Sequence, residues 1–464
     1  MVMEGGYTKS DMDTVLLATC VAALVTPLMS TMMNLALLSI GEEFGVGSHD
    51  QAYVNTLFLL GSVFGMVPAA KYSSIYGMKK MFVWGHLILL AGCVLAIFSP
   101  NFWFLVSMRF VIGFGASMIA VTAMSMLTFV FPIEHRGKML GINTTFVYIG
   151  LSLGPTIGGV LTDFLGWRAI FASIVLLSIL PIAAILKFRS EIIPTPDKHM
   201  DWVGSVMWGA TVLVLMFGVV NVTESWAKIM IVLGLVMLAG TWMHFRRTPE
   251  PVLSVSMFRN RVFTRASIAA FMNYGASYCI TFFLALYLQS IGELSATEAG
   301  ALMLIQPLMQ VLLTMKMGEL SDRMADKRIL PALGMTITGI GVSMYFLLGT
   351  TCSLPLVVVI MIVTGAGLGI FSAPNTSLIV SSVRPELKGE ASGIVAVVRQ
   401  TGMMVSMAIA MSCISIIMGS TDNLGPETYE TFVTVIHATF SICVLMCAIG
   451  VICSLIKFTE HRDA

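Results

Sequence analysis

Long apolar runs divide the 464-residue chain into fourteen segments, each of a length that can cross a lipid bilayer. A helix needs about 20 residues to span roughly 30 Å of hydrocarbon, because each residue advances about 1.5 Å. By this length criterion the sequence predicts membrane spans at about 14–38, 52–70, 81–99, 103–130, 139–161, 169–186, 203–220, 229–243, 267–289, 297–315, 329–349, 354–380, 391–418 and 433–456. The predicted fold class is an all-α membrane protein.

The composition agrees with a surface that faces lipid. Apolar residues make up 57% of the chain and charged residues only 11%. A water-soluble domain needs a charged surface, whereas a bilayer-facing surface must be apolar. The net charge of +1 gives no support to a nucleic-acid partner. The first dozen residues are polar and acidic, with no basic stretch before a short apolar core, so we expect no cleaved signal peptide.

The positions of the basic residues predict the orientation, because lysine and arginine are retained in cytoplasmic loops. The chain has 26 lysine and arginine residues, and all but four of them lie in the termini or in the loops after even-numbered spans. Arg168 and Lys228 lie in the opposite loops, and Arg109 and Arg399 lie within spans. A missed span would invert every later loop and destroy this asymmetry. We therefore expect a multi-pass protein of the cell membrane (plasma or inner) with both termini in the cytoplasm.

Two short basic turns indicate a weak internal repeat. Residues 70–80 (AKYSSIYGMKK) follow span two, and residues 318–328 (GELSDRMADKR) follow span ten. One such turn in each half fits two related bundles that face each other across a site near the bilayer midplane. The predicted organisation is a cytoplasmic N-terminus at 1–13, a six-helix bundle at 14–188, an inserted helix pair with flanking loops at 189–265, a second six-helix bundle at 266–457 and a cytoplasmic C-terminus at 458–464.

Span five contains glycines at four-residue spacing, which places them on one helix face. These are Gly150, Gly154 and Gly158, with Pro155 and Gly159 beside them. A neighbouring backbone can approach such a face closely. Tight helix packing and a gating role for the helix both explain the pattern.

With these motifs the chain resembles the Major Facilitator Superfamily, and specifically its fourteen-helix drug:proton antiporter branch. The turn after span two fits the family pattern at Gly77 and Lys80 but carries Ala70 and Ser74 where the pattern has glycine and aspartate. The second copy of the turn keeps Gly318, Leu320, Asp322, Arg323 and Arg328.

Three further stretches carry the resemblance. Arg109 with Gly113 looks like the superfamily's buried-arginine motif, and residues 150–159 fit the antiporter signature. The stretch from Pro251 to Phe263 is similar to the loop that follows the extra helix pair in this branch. The resemblance implies the major facilitator fold with 14 transmembrane helices, arranged as two six-helix bundles plus an inserted helix pair. The candidates for coupling or gating are Arg109, Arg399, Gly154, Pro155, Gly158, Gly77, Lys80, Gly318, Asp322 and Arg323.

One departure from the family pattern concerns proton coupling. The branch usually has an aspartate in the first helix, a few residues before an Asn-x-Ala-Leu pattern. Asn34 and Ala36 fit that pattern, but Met29 stands at the aspartate's position. No carboxylate lies deep within a predicted span, although secondary antiporters commonly load a proton on such a group. His86 and His437 are the other groups that could titrate, and we expect both to be packed.

Buried polar residues supply the candidate substrate cavity. Arg109 and Arg399 each cost at least ~2.5–3.5 kcal/mol on the insertion scale, so a functional role is the default expectation. Uncharged polar side chains would be unfavourable facing lipid, and an interhelical hydrogen bond is the alternative role for each asparagine. The cavity candidates are Met29, Asn34, Asn55, Asn143, Tyr148, Asn273, Gln306, Gln310 and Asn375.

Three functions remain open at this point. The leading hypothesis is secondary active export of hydrophobic small molecules or drugs by alternating access, with proton antiport suspected. The second is export or exchange of a neutral or anionic metabolite without proton coupling. The third is a transport-inactive membrane sensor or scaffold, which the altered turn at Ala70 and Ser74 motivates.

The sequence gives no support to an enzyme. It shows no set of nucleophile, base and orienting residue, and we predict no catalytic residues and no cofactor. The eight cysteines form no CxxC pair, so no metal site is expected. The expected partners are a small-molecule substrate, protons as a candidate co-substrate, and the lipid bilayer. We expect the chain to work as a monomer.

Overall fold

The computed structural model describes residues 8–193, 199–324, 326–383, 388–419 and 424–455, and within these ranges every regular element is helical. The helices are α1 Lys9–Phe44, α2 Ser48–Tyr76, α3 Met78–Ile97, α4 Phe102–Val130, α5 Ile133–Leu165, α6 Arg168–Lys187, α7 Trp202–Val220, α8 Ser225–Arg247, α9 Arg261–Ser290, α10 Ala296–Met303, α11 Ile305–Arg323, α12 Ile329–Ser343, α13 Leu354–Ser381, α14 Lys388–Ile417 and α15 Tyr429–Leu455, with 3-10 turns at Val255–Arg259 and Met344–Leu347.

Within the described ranges fourteen helical stretches are long and apolar enough to cross a membrane, which confirms the predicted all-α membrane fold. The tenth stretch is broken, because α10 and α11 meet at Leu304. Pro307 explains the break. It has no N–H to donate to the carbonyl of Met303, and its ring would clash with that carbonyl in a continuous helix.

The helices pack in two groups. In the first, α1 packs against α5 and α6, and α4 packs against α2 and α3. In the second, α13 packs against α11 and α12, while α9 packs against α14 and α15. The two groups meet mainly where α5 contacts α10 and where α2 contacts α14. They therefore enclose a space that is bounded by helices of both groups.

The helix pair α7–α8 lies outside both groups. The two helices pack mainly on each other, and α7 also contacts α2 and α14. The indole of Trp208 on α7 donates to the Val63 carbonyl at 3.0 Å, and the Ser412 hydroxyl of α14 donates to the Val219 carbonyl at 2.8 Å. The outer side of α8 is apolar and exposed, as at Ile229 (71% exposed), so it faces lipid.

Successive antiparallel spans give the molecule two faces. The terminal face carries the start of α1, the end of α15 and the α2–α3 turn, and the distal face carries the α1–α2 turn. On the distal face the carboxylate of Glu43 accepts two hydrogen bonds from Arg168, at 2.6 and 2.8 Å, and one from the Trp167 indole at 2.7 Å. Residues 1–7 and 456–464, which make up most of the predicted cytoplasmic termini, lie outside the described residues.

Candidate functional site

A central cavity of about 180 Å³ lies between the two helix groups. Its wall comes from α1, α2, α4 and α5 on one side and from α9, α11 and α14 on the other. Pockets for drug-sized ligands measure about 300–1,000 Å³, so the groups must separate further before such a ligand fits. A site shared by both halves is the arrangement in which relative motion can change the face to which the site opens.

The wall of the central cavity is mainly apolar. Alanines of α1, α4 and α14 form much of it, and Phe58, Met124 and Met403 contribute the largest apolar side chains. Among the described lining residues Arg399 is the one charged group, and no carboxylate or histidine is present. The cavity is thus suited to an apolar molecule that carries a few hydrogen-bonding groups and no strong positive charge.

Three predicted site residues line the central cavity: Asn143 of α5, Gln310 of α11 and Arg399 of α14. The Asn143 amide donates to the Thr19 carbonyl of α1 at 3.0 Å, which fixes its position. Arg399 is half-buried and makes no hydrogen bond or ion pair within the described part of the chain. Its guanidinium is therefore free to bind a ligand.

Tyrosine and serine side chains that the sequence analysis missed complete the polar lining. Ser30 of α1 and Tyr278 of α9 share a hydrogen bond of 2.8 Å, and the Gln400 amide of α14 donates to the Ser62 hydroxyl of α2 at 2.8 Å. Both bonds join the two helix groups at the cavity wall. The signal for the tyrosines was present in the sequence, because Tyr274 and Tyr278 are four residues apart and share one helix face.

Arg109 lies behind the cavity wall and does not line it. Its side chain is fully buried, its Nε donates to the Val54 carbonyl at 3.0 Å, and its Cζ lies 4.6 Å from the ring centroid of Phe58. Its two terminal nitrogens have no hydrogen-bond partner within the described residues. Because Phe58 lines the cavity, the cation–π contact places Arg109 where it can hold that part of the wall.

Four of the predicted asparagines hydrogen bond outside the cavity wall. Asn55 of α2 donates to Asn34 of α1 at 2.7 Å, and both are buried. Asn273 donates to a methionine sulfur of α12 at 3.2 Å, and Asn375 donates to a carbonyl of α9 at 3.1 Å. Each bond joins two helices, so the structure places these side chains in helix packing.

Two further cavity candidates, Met29 and Gln306, also lie away from the described wall. Met29 is fully buried in the apolar core, and Gln306 is nearly buried on α11, with its carbonyl packed against Gly365 of α13. The side chains of Tyr148 and Asp322 lie outside the described residues. The structure thus separates the residues of the central cavity from those of the core.

The small residues of α5 allow contact with both helix groups. A Cβ added at Gly154 or Gly158 would collide with α1, so these glycines permit close packing within the first group. Elsewhere on α5, the carbonyl of Pro155 packs against Gly300 of α10, which belongs to the second group. The glycine-rich stretch therefore lies at a contact that relative motion of the groups would change.

The α2–α3 turn is held by a carboxylate from a distant segment. Gly77 has a φ of 120°, which favours glycine. Glu191, which follows α6, accepts hydrogen bonds from the backbone N–H groups of Lys79 at 2.8 Å and Lys80 at 3.3 Å. A helix start carries unpaired N–H groups and a partial positive charge, so this carboxylate caps α3.

The role of Glu191 could not be predicted from the sequence, because this residue lies more than 100 positions from the turn. One signal was available: α3 begins after Gly77, and the turn carries Ser74 in place of an acidic residue, so the helix start lacks a local capping side chain. The second-half turn differs. It is closed locally by Asp326, which accepts hydrogen bonds from Arg328 at 2.8 and 2.7 Å. In that turn Gly318 lies against α13, and Arg323 is exposed.

Other candidate reactive groups are packed. The ring of His86 hydrogen bonds to a carbonyl at 2.9 Å, and that of His437 does so at 3.1 Å, both outside the described cavity wall. In the described ranges no group of three or more His, Cys, Asp or Glu side chains is placed to hold a metal ion.

Comparisons with known proteins agree with this geometry. The family model described as Major Facilitator Superfamily matches residues 19–245 and 266–464. Riboflavin transporter RibZ of Clostridioides difficile (strain 630) is 27% identical over 443 residues, covering 94% of this chain and 96% of that protein. Multidrug resistance protein 3 of Bacillus subtilis (strain 168) is 25% identical over 411 residues, covering 87% of this chain and 77% of that protein.

Solved structures share the fold. A bacterial homologue of the human lysosomal transporter Spinster, in an inward-facing and unoccupied conformation, gives a TM-score of 0.68 at 17% identity, covering 97% of this chain and 98% of that one. A POT family transporter in complex with a thioalcohol-conjugated peptide gives a TM-score of 0.72 at 12% identity, covering 94% of each chain. At these identities the likeness concerns the arrangement of the helices.

Proposed function

The chain belongs to the Major Facilitator Superfamily of membrane transporters, and from that premise we propose that it exports amphiphilic, largely hydrophobic small molecules by alternating access. The observation that carries the proposal is the central cavity, whose apolar wall is built from both helix groups. A cavity of this kind opens to one side or the other when the groups rock against each other.

In this proposal the two moving bodies are the bundles at 14–188 and 266–457. The basic terminal face lies in the cytoplasm, and the protein works as a monomer in the cell membrane. Opening toward the outside would separate α5 from α10, where the backbone N–H of Thr297 now donates to Asp163 at 2.7 Å. Gly159 of α5 and Gly300 of α10 lie at this contact, so it could form and break without side chains in the way.

The character of the cavity wall supports a particular class of substrate. Methionine and aromatic side chains adapt to varied apolar shapes, which fits drug-like molecules and the multidrug resistance proteins among the relatives. Arg399 favours neutral or anionic substrates over lipophilic cations, because no described lining residue offers a compensating carboxylate.

A reversible lock on the α5–α10 contact tests alternating access. We expect an Asp163→Cys, Thr297→Cys double variant, joined in proteoliposomes by a short bis-methanethiosulfonate that links the two thiols through disulfides, to lose flux of a neutral fluorescent amphiphile. Reductive release of the cross-link should restore the flux. Each single variant, Asp163→Cys or Thr297→Cys, treated in the same way is the matched control, because it carries the same eight native cysteines. Flux that continues at the full rate through the cross-linked protein would overturn the proposal.

A second candidate is export or exchange of a neutral or anionic metabolite without proton coupling. The unpaired Arg399 and the lack of a carboxylate in the described wall favour it, and a riboflavin transporter is among the relatives. The first candidate includes proton antiport, which the family resemblance implies, so an imposed pH gradient separates the two candidates. Substrate accumulation that follows the gradient supports proton antiport, whereas accumulation that ignores it supports the second candidate. Strong extrusion of lipophilic cations with no effect on anions would contradict the second candidate.

A further inference from the structure

A second cavity, here called the terminal pocket, lies on the terminal face and has a volume of about 540 Å³. It is bounded by the end of α8 and by the segment that leads to α9, and it shares no lining residue with the central cavity. The same segment is anchored to the second helix group, because the Asn260 amide donates to the Ser382 carbonyl at 2.7 Å. The terminal pocket therefore lies at the junction of the inserted helix pair and the second group.

The terminal pocket presents positive charge that no residue of the described ranges neutralises. Arg246 and Arg259 line it, both are exposed, and neither has an ion-pair or hydrogen-bond partner in the described ranges. The hydroxyl-bearing residues Ser254 and Ser256 also line it. The carboxylate of this segment, Glu250, is not part of the lining and accepts a hydrogen bond from the His199 backbone N–H at 2.9 Å.

Guanidinium and hydroxyl donors around one pocket match an anion with several acceptor oxygens. Arginine binds phosphate through two parallel N–H donors, and serine hydroxyls can donate to the same oxygens. With no described carboxylate in the lining, the pocket has no group that would repel such an anion. A phosphate group is therefore the chemistry that the polar side of the pocket fits.

The other side of the terminal pocket is aromatic and continues into the lipid-facing surface. The rings of Trp242 and Phe258 meet edge to face with centroids 5.7 Å apart, and both line the pocket. Along α8, Leu235 and Leu238 lie on the same helix face as Trp242, seven and four residues before it, and are exposed to 53% and 40%. Tryptophan is enriched at the level of lipid headgroups, so the pocket lies where a headgroup and an acyl chain would both find matching surfaces.

We propose that the terminal pocket binds an anionic phospholipid, with its phosphate between Arg246 and Arg259 and an acyl chain along the exposed face of α8. The continuity of the pocket with the apolar surface of α8 selects a lipid over a soluble phosphate. A lipid in this position joins the inserted helix pair to the segment that begins the second bundle. The binding is independent of what the central cavity transports.

Native mass spectrometry of the delipidated full-length protein, titrated with phosphatidylglycerol or phosphatidylcholine, tests the proposal. We expect phosphatidylglycerol to bind in preference to phosphatidylcholine. Arg246→Gln and Arg259→Gln should each weaken phosphatidylglycerol binding roughly fivefold, from the usual contribution of one basic residue at a lipid surface. The melting temperature of each variant in detergent without added lipid should stay at the wild-type value, which separates loss of binding from loss of folding.

The chain provides matched controls, because Arg247 and Arg261 are neighbouring exposed arginines that do not line the terminal pocket. Arg247→Gln and Arg261→Gln should leave phosphatidylglycerol binding within twofold of wild type. Equal losses in all four variants would overturn the proposal in favour of a diffuse charge effect. Full competition by inorganic phosphate at the concentration of the lipid would also overturn it, since the site would then be one for a free anion.

Discussion

The two membrane-embedded arginines have opposite surroundings. Arg109 in the first helix group is fully buried, with a backbone carbonyl and the Phe58 ring as partners for its charge. Arg399 in the second group is half-buried and lines the central cavity without a partner in the described ranges. In the proposed function the same charge would hold the cavity wall in one half and face a ligand in the other half.

The two basic turns show a parallel difference. In the first half a remote carboxylate, Glu191, caps α3, whereas in the second half Asp326 pairs with Arg328 two residues away. Related sequence patterns therefore reach their stable geometries by different means. In the first half the contact joins residues more than 100 positions apart in the sequence, whereas in the second half it is local.

The largest expected effect is at Arg109. Arg109→Met keeps a similar side-chain volume but removes the cation–π contact with Phe58. We expect the initial flux in proteoliposomes to fall at least tenfold. The melting temperature should not fall, because removing a buried charge recovers roughly 2.5–3.5 kcal/mol or more of its insertion cost. Arg109→Lys, which keeps the charge without the planar guanidinium, should be intermediate in flux. Full flux in Arg109→Met would show that the Arg109 contact with Phe58 is not needed for transport, and the proposed difference in role between Arg109 and Arg399 would then be wrong.

The next effect in size is at Arg399. Arg399→Gln should raise the KM for an anionic substrate roughly three- to tenfold through loss of one Coulombic contact in a partly hydrated cavity. The KM for a neutral analogue of the same shape should stay within twofold, and the melting temperature should not change. Arg399→Lys is the matched control and should keep most of the discrimination. An equal rise in KM for both substrates would show that Arg399 only shapes the cavity.

Introducing a carboxylate into α1 tests whether the first helix group can be made to respond to a pH gradient, and whether Arg109 can acquire a charged partner. In Met29→Asp we expect an imposed pH gradient to change flux about two- to threefold, because a membrane-buried carboxylate can load a proton. Met29→Asn, which is nearly isosteric and uncharged, should show no response. If the new carboxylate pairs with Arg109, a double-mutant cycle with Arg109→Met should give a coupling of about 1 kcal/mol or more in unfolding free energy. Additive effects would show that Arg109 stays isolated.

The sequence could predict the fold because the bilayer imposes simple requirements. Apolar runs in the sequence located all fourteen stretches that, in the described part of the chain, are long and apolar enough to cross a membrane. The cavity was harder to predict, because a polar side chain within a span can either line a cavity or form a hydrogen bond to a neighbouring helix. Asn143, Gln310 and Arg399 line the cavity, whereas Asn34 and Asn55 bond to each other across α1 and α2. Which outcome applies depends on the rotation of each helix, and rotation is set by tertiary packing.

The smallest expected effect is at Glu191, which lies in the connection after α6 and whose carboxylate caps the start of α3. Glu191→Gln keeps the size and one acceptor oxygen but removes the negative charge at the helix start, so we expect a loss of about 0.5–1 kcal/mol in unfolding free energy. Thermal unfolding in detergent would measure the loss, with the exposed Glu224→Gln at the start of α8 as a control that has no capping hydrogen bond. Flux should stay within twofold of wild type, since the cap lies within the first helix group and away from the central cavity. A loss of flux without a loss of stability would contradict this assignment, because it would make the α2–α3 turn part of the moving contact between the groups.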